Sequence, residues 1–153
     1  TGAAVTSEKL GEGEYKVKIN VAGNAEAAVT EVGDSCGCFV TGDTIAVFSS
    51  DKMGQGNDEL GGVLIKGCIY AITQLEELPK KMIFYNGGAK LTCEGSDSLE
   101  DLKNLESQGV EIMTCGTCLD YYGLKEKLAV GTVTNMYSIV ESMQQAGKII
   151  KPC

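Results

Sequence analysis

Between Thr44 and Cys153 short apolar runs alternate with longer stretches in which apolar side chains recur every three or four residues. That alternation is the pattern of βαβ units around a parallel sheet. The run Thr44-Ile-Ala-Val-Phe-Ser49 is apolar almost throughout, as a strand buried on both faces requires. A glycine-rich loop, Asp51-Lys-Met-Gly-Gln-Gly56, leads into a predicted helix over 58–76. There Leu60, Leu64, Cys68, Ala71 and Leu75 form one stripe, and Val63, Ile65, Ile69 and Ile72 widen it, which predicts burial on more than one side. Gly61, Gly62 and Gly67 each cost such a helix about 1 kcal/mol relative to alanine, so close packing against a neighbouring backbone is expected.

Met82-Ile-Phe-Tyr85 reads as the second strand, closed by Asn86-Gly-Gly88, residue types that tolerate positive φ. The stretch through Cys93 reads as an irregular loop. Asp97 with Glu100, or Ser98 with Asp101, offers a capping-box start to a helix whose face is Leu99, Leu102 and Leu105 and whose stop is Gly109. Val110-Glu-Ile-Met-Thr114 is the third strand and Cys115-Gly-Thr-Cys118 the turn after it. A short helix over 119–127, a strand over 130–133, a helix over 135–146 and a strand over 148–151 complete the pattern. The expected architecture is an α/β fold: an open, mostly parallel five-stranded sheet with helices on both faces. Strand order is not readable from the pattern.

Ahead of this domain, placed at 44–153, lies an N-terminal segment over 1–40. Tyr15, Val17, Ile19 and Val21 alternate with Lys16, Lys18 and Asn20, a half-buried strand, and Asn24 is placed to cap a helix carrying Ala25, Ala28, Val29 and Val32. One strand and one helix make an incomplete unit, with Gly33 to Gly37 as the linker. The chain begins at Thr1 and not at Met, which leads us to expect a processed or partial form of a longer product.

Composition narrows the chemistry. With 153 residues, 43% of them hydrophobic, the chain is long enough to bury a core. No apolar run reaches the length of a membrane span and no secretory signal precedes the first strand, so a cytoplasmic protein with no membrane partner is expected. A net charge of −8 argues against a nucleic-acid partner, because phosphate recognition needs clustered lysine and arginine. Histidine is absent, which removes Ser-His-Asp triads, Cys-His dyads and HExxH zinc sites. Seven cysteines cannot all pair within one chain, and with nothing marking secretion, reactive thiols or a metal fit better than a disulfide framework.

Open α/β sheets collect ligands and reactive groups beyond the carboxyl ends of their strands. Here that edge gathers Ser49, Ser50, the Met53-Gly54-Gln55-Gly56 loop, Asn86, Gly87, Gly88, Cys93, Cys115 and Thr134. Cys115 stands where a strand ends and a helix begins, so unpaired N–H groups and the helix dipole favour a thiolate there. Cys118, one helical turn on, is placed to resolve, store or protect a transferred atom. Cys115 is otherwise a small apolar residue in a buried turn, the commonest fate of a free cysteine. Cys93 is either an assisting thiol that approaches Cys115 across the strand ends or an incidental surface one. Cys68 is expected in the core, and Cys153 exposed and idle. Ser49, Met53, Gly54, Gly56, Asn86 and Gly87 are expected to line the cysteine pocket.

Competing motifs fit less well. The Cys-x-x-Cys of a thioredoxin-like dithiol follows the first strand and needs a later cis-proline, and neither proline here is placed for that. Cys36-Gly-Cys38 is one residue short of zinc-finger spacing. Gly54-x-Gly56 lacks the third glycine at the spacing a dinucleotide fingerprint requires. No metal site and no cofactor are expected.

Three stretches carry a family resemblance: Val47 to Gly61 with its Ser-Ser-Asp-Lys-Met-Gly-Gln-Gly, Phe84 to Ser96 with Tyr-Asn-Gly-Gly-Ala-Lys-Leu-Thr-Cys, and Thr114 to Gly123 with Cys-Gly-Thr-Cys-Leu-Asp-Tyr-Tyr. From Thr44 to the end the chain resembles the C-terminal domain of the YedF family, sulfurtransferase-like proteins linked with selenium metabolism, within the wider DsrE/DsrF/TusD group. The resemblance implies a flavodoxin-like layered fold, a homo-oligomer, and sulfur carried on the cysteine after the third strand, which falls on Cys115. It also implies sulfur- or selenium-donor and acceptor proteins as partners. Residues 7–32 look like a remnant of the TusA-like domain of full-length YedF proteins, without its Cys-Pro-x-Pro motif. The expected function is a sulfur or selenium carrier holding a persulfide-type adduct on Cys115 with help from Cys118. The alternatives are a non-catalytic oligomeric binding module of the same fold and a structural zinc protein.

Overall fold

The structure, a computed structural model, describes the backbone of residues 4–11 and 14–20 and the whole of residues 43–153. The chain divides into two compact units, Thr1–Gly37 and Cys38–Cys153. In the first, β1 (Ala4–Gly11) pairs antiparallel with β2 (Glu14–Asn20), from Ala4 opposite Asn20 to Gly11 opposite Glu14. The expected strand at Tyr15 is thus β2, and β1 is a strand the sequence reading did not find. The predicted helix after Asn24 and the linker at Gly33–Gly37 lie outside the described residues, as do Cys36 and Cys38.

The second unit carries β3 (Thr44–Phe48), α1 (Asp58–Thr73), β4 (Lys81–Phe84), α2 (Leu99–Ser107), β5 (Glu111–Cys115), α3 (Gly116–Tyr121), β6 (Thr132–Thr134), α4 (Met136–Gln145) and β7 (Lys148–Ile150). All five strands of its sheet are parallel, in the order β6-β5-β4-β3-β7. The helices follow from that order. Steps from β3 to β4 and β4 to β5 move in one direction, and right-handed crossovers put both α1 and α2 on the same face. The return from β6 across the sheet to β7 reverses direction, which puts α4 on the other.

Two buried clusters match these two faces. Ala46, Phe48, Met82, Phe84 and Ile112 meet Ile65, Ile69 and Ile72 of α1 and Leu102 and Leu105 of α2. The alternate strand residues Ile45, Val47, Ile83, Met113 and Cys115 meet Ile139 of α4. Phe48 and Phe84, paired across β3 and β4, stack with centroids 4.9 Å apart, a geometry worth about 1 kcal/mol beyond area burial. On the α1/α2 face the Thr114 hydroxyl donates to Thr92 Oγ1 at 2.9 Å and Thr92 in turn to the Ala89 carbonyl at 3.0 Å, so both buried hydroxyls are satisfied.

Several local expectations are corrected. The segment after β4 is a 3-10 helix over Asn86–Thr92 and not an irregular loop. Ser98 precedes α2 but makes no capping bond through its side chain, so neither capping box forms. The helix expected over 119–127 begins at Gly116, ends at Tyr121 and is followed by a separate 3-10 turn over Lys125–Lys127. α1 is buried on one side only: Leu60, Val63, Leu64 and Tyr70 are exposed. Among its glycines Gly61 alone is tightly packed, where a Cβ would stand 3.0 Å from Lys52 Cβ, whereas Gly62 and Gly67 face open space. Gly109, at φ +93°, stops α2 as expected.

Candidate functional site

β5 ends on Cys115, and α3 starts at the next residue, so Cys115 and Cys118 lie on one helical turn at the carboxyl end of the sheet. The tightness of that turn has a local cause. Gly116 packs under β6, where an added Cβ would meet Val133 Cγ1 at 2.9 Å. Cys115 points to the α4 face and is 1% exposed, enclosed by the cluster that includes Val47, Met113 and Ile139. Cys118 is half-buried and is the member of the pair that meets solvent.

Asn86 reaches the same thiol from the end of β4. Its main-chain N–H donates to Cys118 Sγ at 3.0 Å, and it is the one described non-glycine residue with positive φ, at 49°. Its side-chain oxygen accepts a hydrogen bond from the Tyr122 hydroxyl at 3.1 Å. Asparagine tolerates this left-handed conformation better than most residues, and the conformation aims the N–H at the sulfur. Burial pushes the Cys118 thiol above its ordinary 9.0; the Asn86 N–H pulls it down, and the adjacent Cys115 thiol adds to the rise. Tyr122 is a site residue that the cysteine motif itself does not mark. The signal that identifies it is spacing, since it lies four residues beyond Cys118 and so one turn along the same face.

Tyr122 opens onto a second charged group. Lys90 Nζ sits 5.1 Å from the centre of the Tyr122 ring and 3.1 Å from Asp51 Oδ2, and Gly87 fits against Asp51 and Ser50. Of the residues expected to line the cysteine pocket, Asn86 touches the thiol pair and Gly87 adjoins it in the chain. Ser49 belongs to a different thiol. Met53 packs against the α1-side cluster, and its N–H donates to the Gly61 carbonyl at 3.0 Å. Gly54 and Gly56, at φ +76° and +148°, border open space.

The remaining cysteines divide by environment. Cys93 is 1% exposed, donates to the Ala89 carbonyl at 3.2 Å, and shares a cluster with Ala89 and Leu119 against which Cys118 also packs. It is therefore not a surface thiol; burial raises its thiol above 9.0. Cys68 is half-buried against the α1-side core, and burial raises it likewise. Cys153 is not a free tail thiol. Its Sγ accepts the N–H groups of Ser49 at 3.2 Å and Ser50 at 3.3 Å, beside the carboxyl end of β3. Among the described residues no three cysteine, aspartate or glutamate side chains converge on a point where they would share a metal ion. No described helix is long and apolar enough to cross a membrane.

Solved structures with the same fold include a protein of unknown function from Methanobacterium thermoautotrophicum, with a TM-score of 0.53 and 21% identity over 71% of this chain and 97% of that one. The ychN protein from E. coli gives 0.53 and 14%, over 71% and 98%. A conserved protein of unknown function from Bacteroides thetaiotaomicron gives 0.52 and 13%, over 75% and 99%. No curated protein matches the chain. The profile of the DsrE/DsrF-like family matches residues 24–152, the whole five-stranded sheet with both site cysteines, and the chain belongs to that family.

Proposed function

We propose that this chain is a cytoplasmic sulfur carrier of the YedF type, in which Cys115 and Cys118 hold a persulfide or its selenium counterpart. The observation that carries the reading is the position of two adjacent thiols at one strand end, the outer one half-exposed and held by the Asn86 N–H. A protein persulfide approaches Cys118. The Cys118 thiolate attacks the outer sulfur, that S–S bond breaks as the new one forms, and the donor leaves as a thiolate. Cys115 then attacks the outer sulfur of the Cys118 persulfide in the same manner. The sulfur ends on a side chain enclosed by Val47, Met113 and Ile139, out of reach of small reductants. Each step exchanges one S–S bond for another and needs neither an external oxidant nor a histidine. The exposed apolar residues of α1 that do not line a groove, Leu60, Leu64 and Tyr70, support a homo-oligomeric carrier.

Mass spectrometry after brief exposure to a persulfide donor tests the assignment. The parent should gain one sulfur that persists when a small thiol is added. Cys118→Ser should lose rapid loading, and Cys115→Ser should load but lose the adduct to the added thiol. Full, protected loading in both variants would defeat the proposal.

A further inference from the structure

A groove of about 890 Å³ runs between α1 and the segment that joins the 3-10 helix to α2, outside the thiol site. Gly62 and Val63 of α1, Leu91, Tyr122 and Leu124 are among the residues that line it. Its walls are apolar, but its charge is one-sided. Lys90 is engaged by Asp51 at 3.1 Å and Lys66 lies 3.9 Å from Asp97. Glu59 and Glu94 have no lysine within ion-pair distance among the described residues, which leaves two carboxylates in excess on a chain of net charge −8. An apolar channel with surplus negative charge favours an aliphatic occupant that carries positive charge. The groove is open and not an enclosed cavity, which suits a length of chain. Its lining includes the same Tyr122 whose hydroxyl holds Asn86 beside Cys118.

We propose that this groove receives a lysine- or arginine-bearing aliphatic segment of the protein that exchanges sulfur with Cys118. This inference rests on the carrier reading above for the identity of the partner, while the groove and its charge stand independently of it. A segment seated against Val63 and Leu91 and reaching Tyr122 brings its own protein's thiol alongside Cys118 and steers the encounter by charge.

Two short labelled peptides test it, one alternating leucine with lysine and its twin alternating leucine with glutamate, followed by fluorescence anisotropy. The basic peptide should bind the full chain at low ionic strength and slow alkylation of Cys118, whereas the acidic twin should do neither. The double variant Glu59→Lys/Glu94→Lys should bind the basic peptide roughly tenfold more weakly, and so should the parent in high salt. Glu76→Lys/Glu77→Lys, which reverses the same charge at exposed positions away from the groove, should bind like the parent. Equal binding of the two peptides, or equal weakening by both double variants, would overturn the proposal. Sulfur loading is read separately in the same proteins. Failure to load with peptide discrimination intact removes the carrier reading alone, and loading without discrimination removes the groove.

Discussion

Asn86 offers the sharpest test of how the thiol site is built, because its main chain and its side chain do different things. Replacing it with glycine keeps the left-handed conformation and the N–H aimed at Cys118, and removes the side-chain bond from Tyr122. Replacing it with alanine removes that same bond and also penalises φ 49° by about 1–2 kcal/mol, so the turn relaxes and the N–H swings away. A hydrogen bond to a charged acceptor is worth at least about 1.5 kcal/mol. Losing it leaves about tenfold less thiolate at neutral pH. The more basic sulfur is also more nucleophilic, with a Brønsted slope of about 0.4–0.5, and that restores roughly half of the decade. Alkylation of Cys118 in Asn86→Ala should therefore be about threefold slower than in the parent, and in Asn86→Gly nearly unchanged. The assay is iodoacetamide labelling at neutral pH, resolved by peptide mass spectrometry so that Cys118 is read apart from the other thiols. An unchanged rate in the alanine variant would refute the role of the N–H. An equal slowing in the glycine variant would show that the Tyr122 bond, and not the main chain, sets the thiol.

Two further predictions concern the scaffold. A Cβ at Gly88 would stand 2.3 Å from the Phe48 carbonyl oxygen, main chain that already accepts the Tyr85 N–H, so Gly88→Ala should lose about 3 kcal/mol or more in urea unfolding. Gly67 sits in α1 with nothing near its missing Cβ, so Gly67→Ala should gain about 1 kcal/mol; a loss there would mean that α1 is packed against something at that point. The thiols of Cys68, Cys93 and Cys118 are all raised above 9.0, first by burial. The unfolded chain therefore releases their protons before the folded chain does. Stability is full below the ordinary thiol value and falls as pH rises through the raised ones. Urea midpoints taken from about pH 8 to about pH 10 should decline, with a shallower slope in Cys93→Ser; a midpoint that rises with pH would contradict the burial of these groups.

Much of the sheet was legible because its signal is local. Buried runs such as Thr44–Phe48 and Lys81–Phe84 announce strands on both-face apolarity alone. The helical period of α1 was legible but not its inner face. The stripe read as Leu60, Leu64, Cys68, Ala71 and Leu75 is mostly exposed, and Ile65, Ile69 and Ile72, read as widening it, are the side that is buried. What was not legible depends on partners distant in sequence. The side assigned to Val63 and Leu64 is an example: apolarity marks a face as coverable, and nothing within this unit covers it. Cys153 is another. A terminal cysteine reads as idle until strand order places β7 beside β3, and only then do Ser49 and Ser50, more than a hundred positions earlier, come within bonding distance of its sulfur.

The ranking of Cys115 and Cys118 follows from the architecture once both faces of the sheet are known to be covered. Side chains along β5 alternate: Ile112 joins the α1/α2 face, while Met113 and Cys115 join the α4 face. In a one-sided sheet one of those sets would meet water. Here neither does, so the last side chain of a central strand is enclosed whichever way it points, and Cys115 is 1% exposed for that reason. A thiol at this edge reaches solvent only by leaving the strand, and α3 carries Cys118 one turn beyond the sheet to where Asn86 and Tyr122 meet it. The difference in exposure between the two sulfurs is thus a consequence of placing Cys-x-x-Cys across a strand-to-helix junction, and the proposed carrier would divide its labour along it. Moving the outer cysteine back into the strand would leave two sealed thiols and no point of entry.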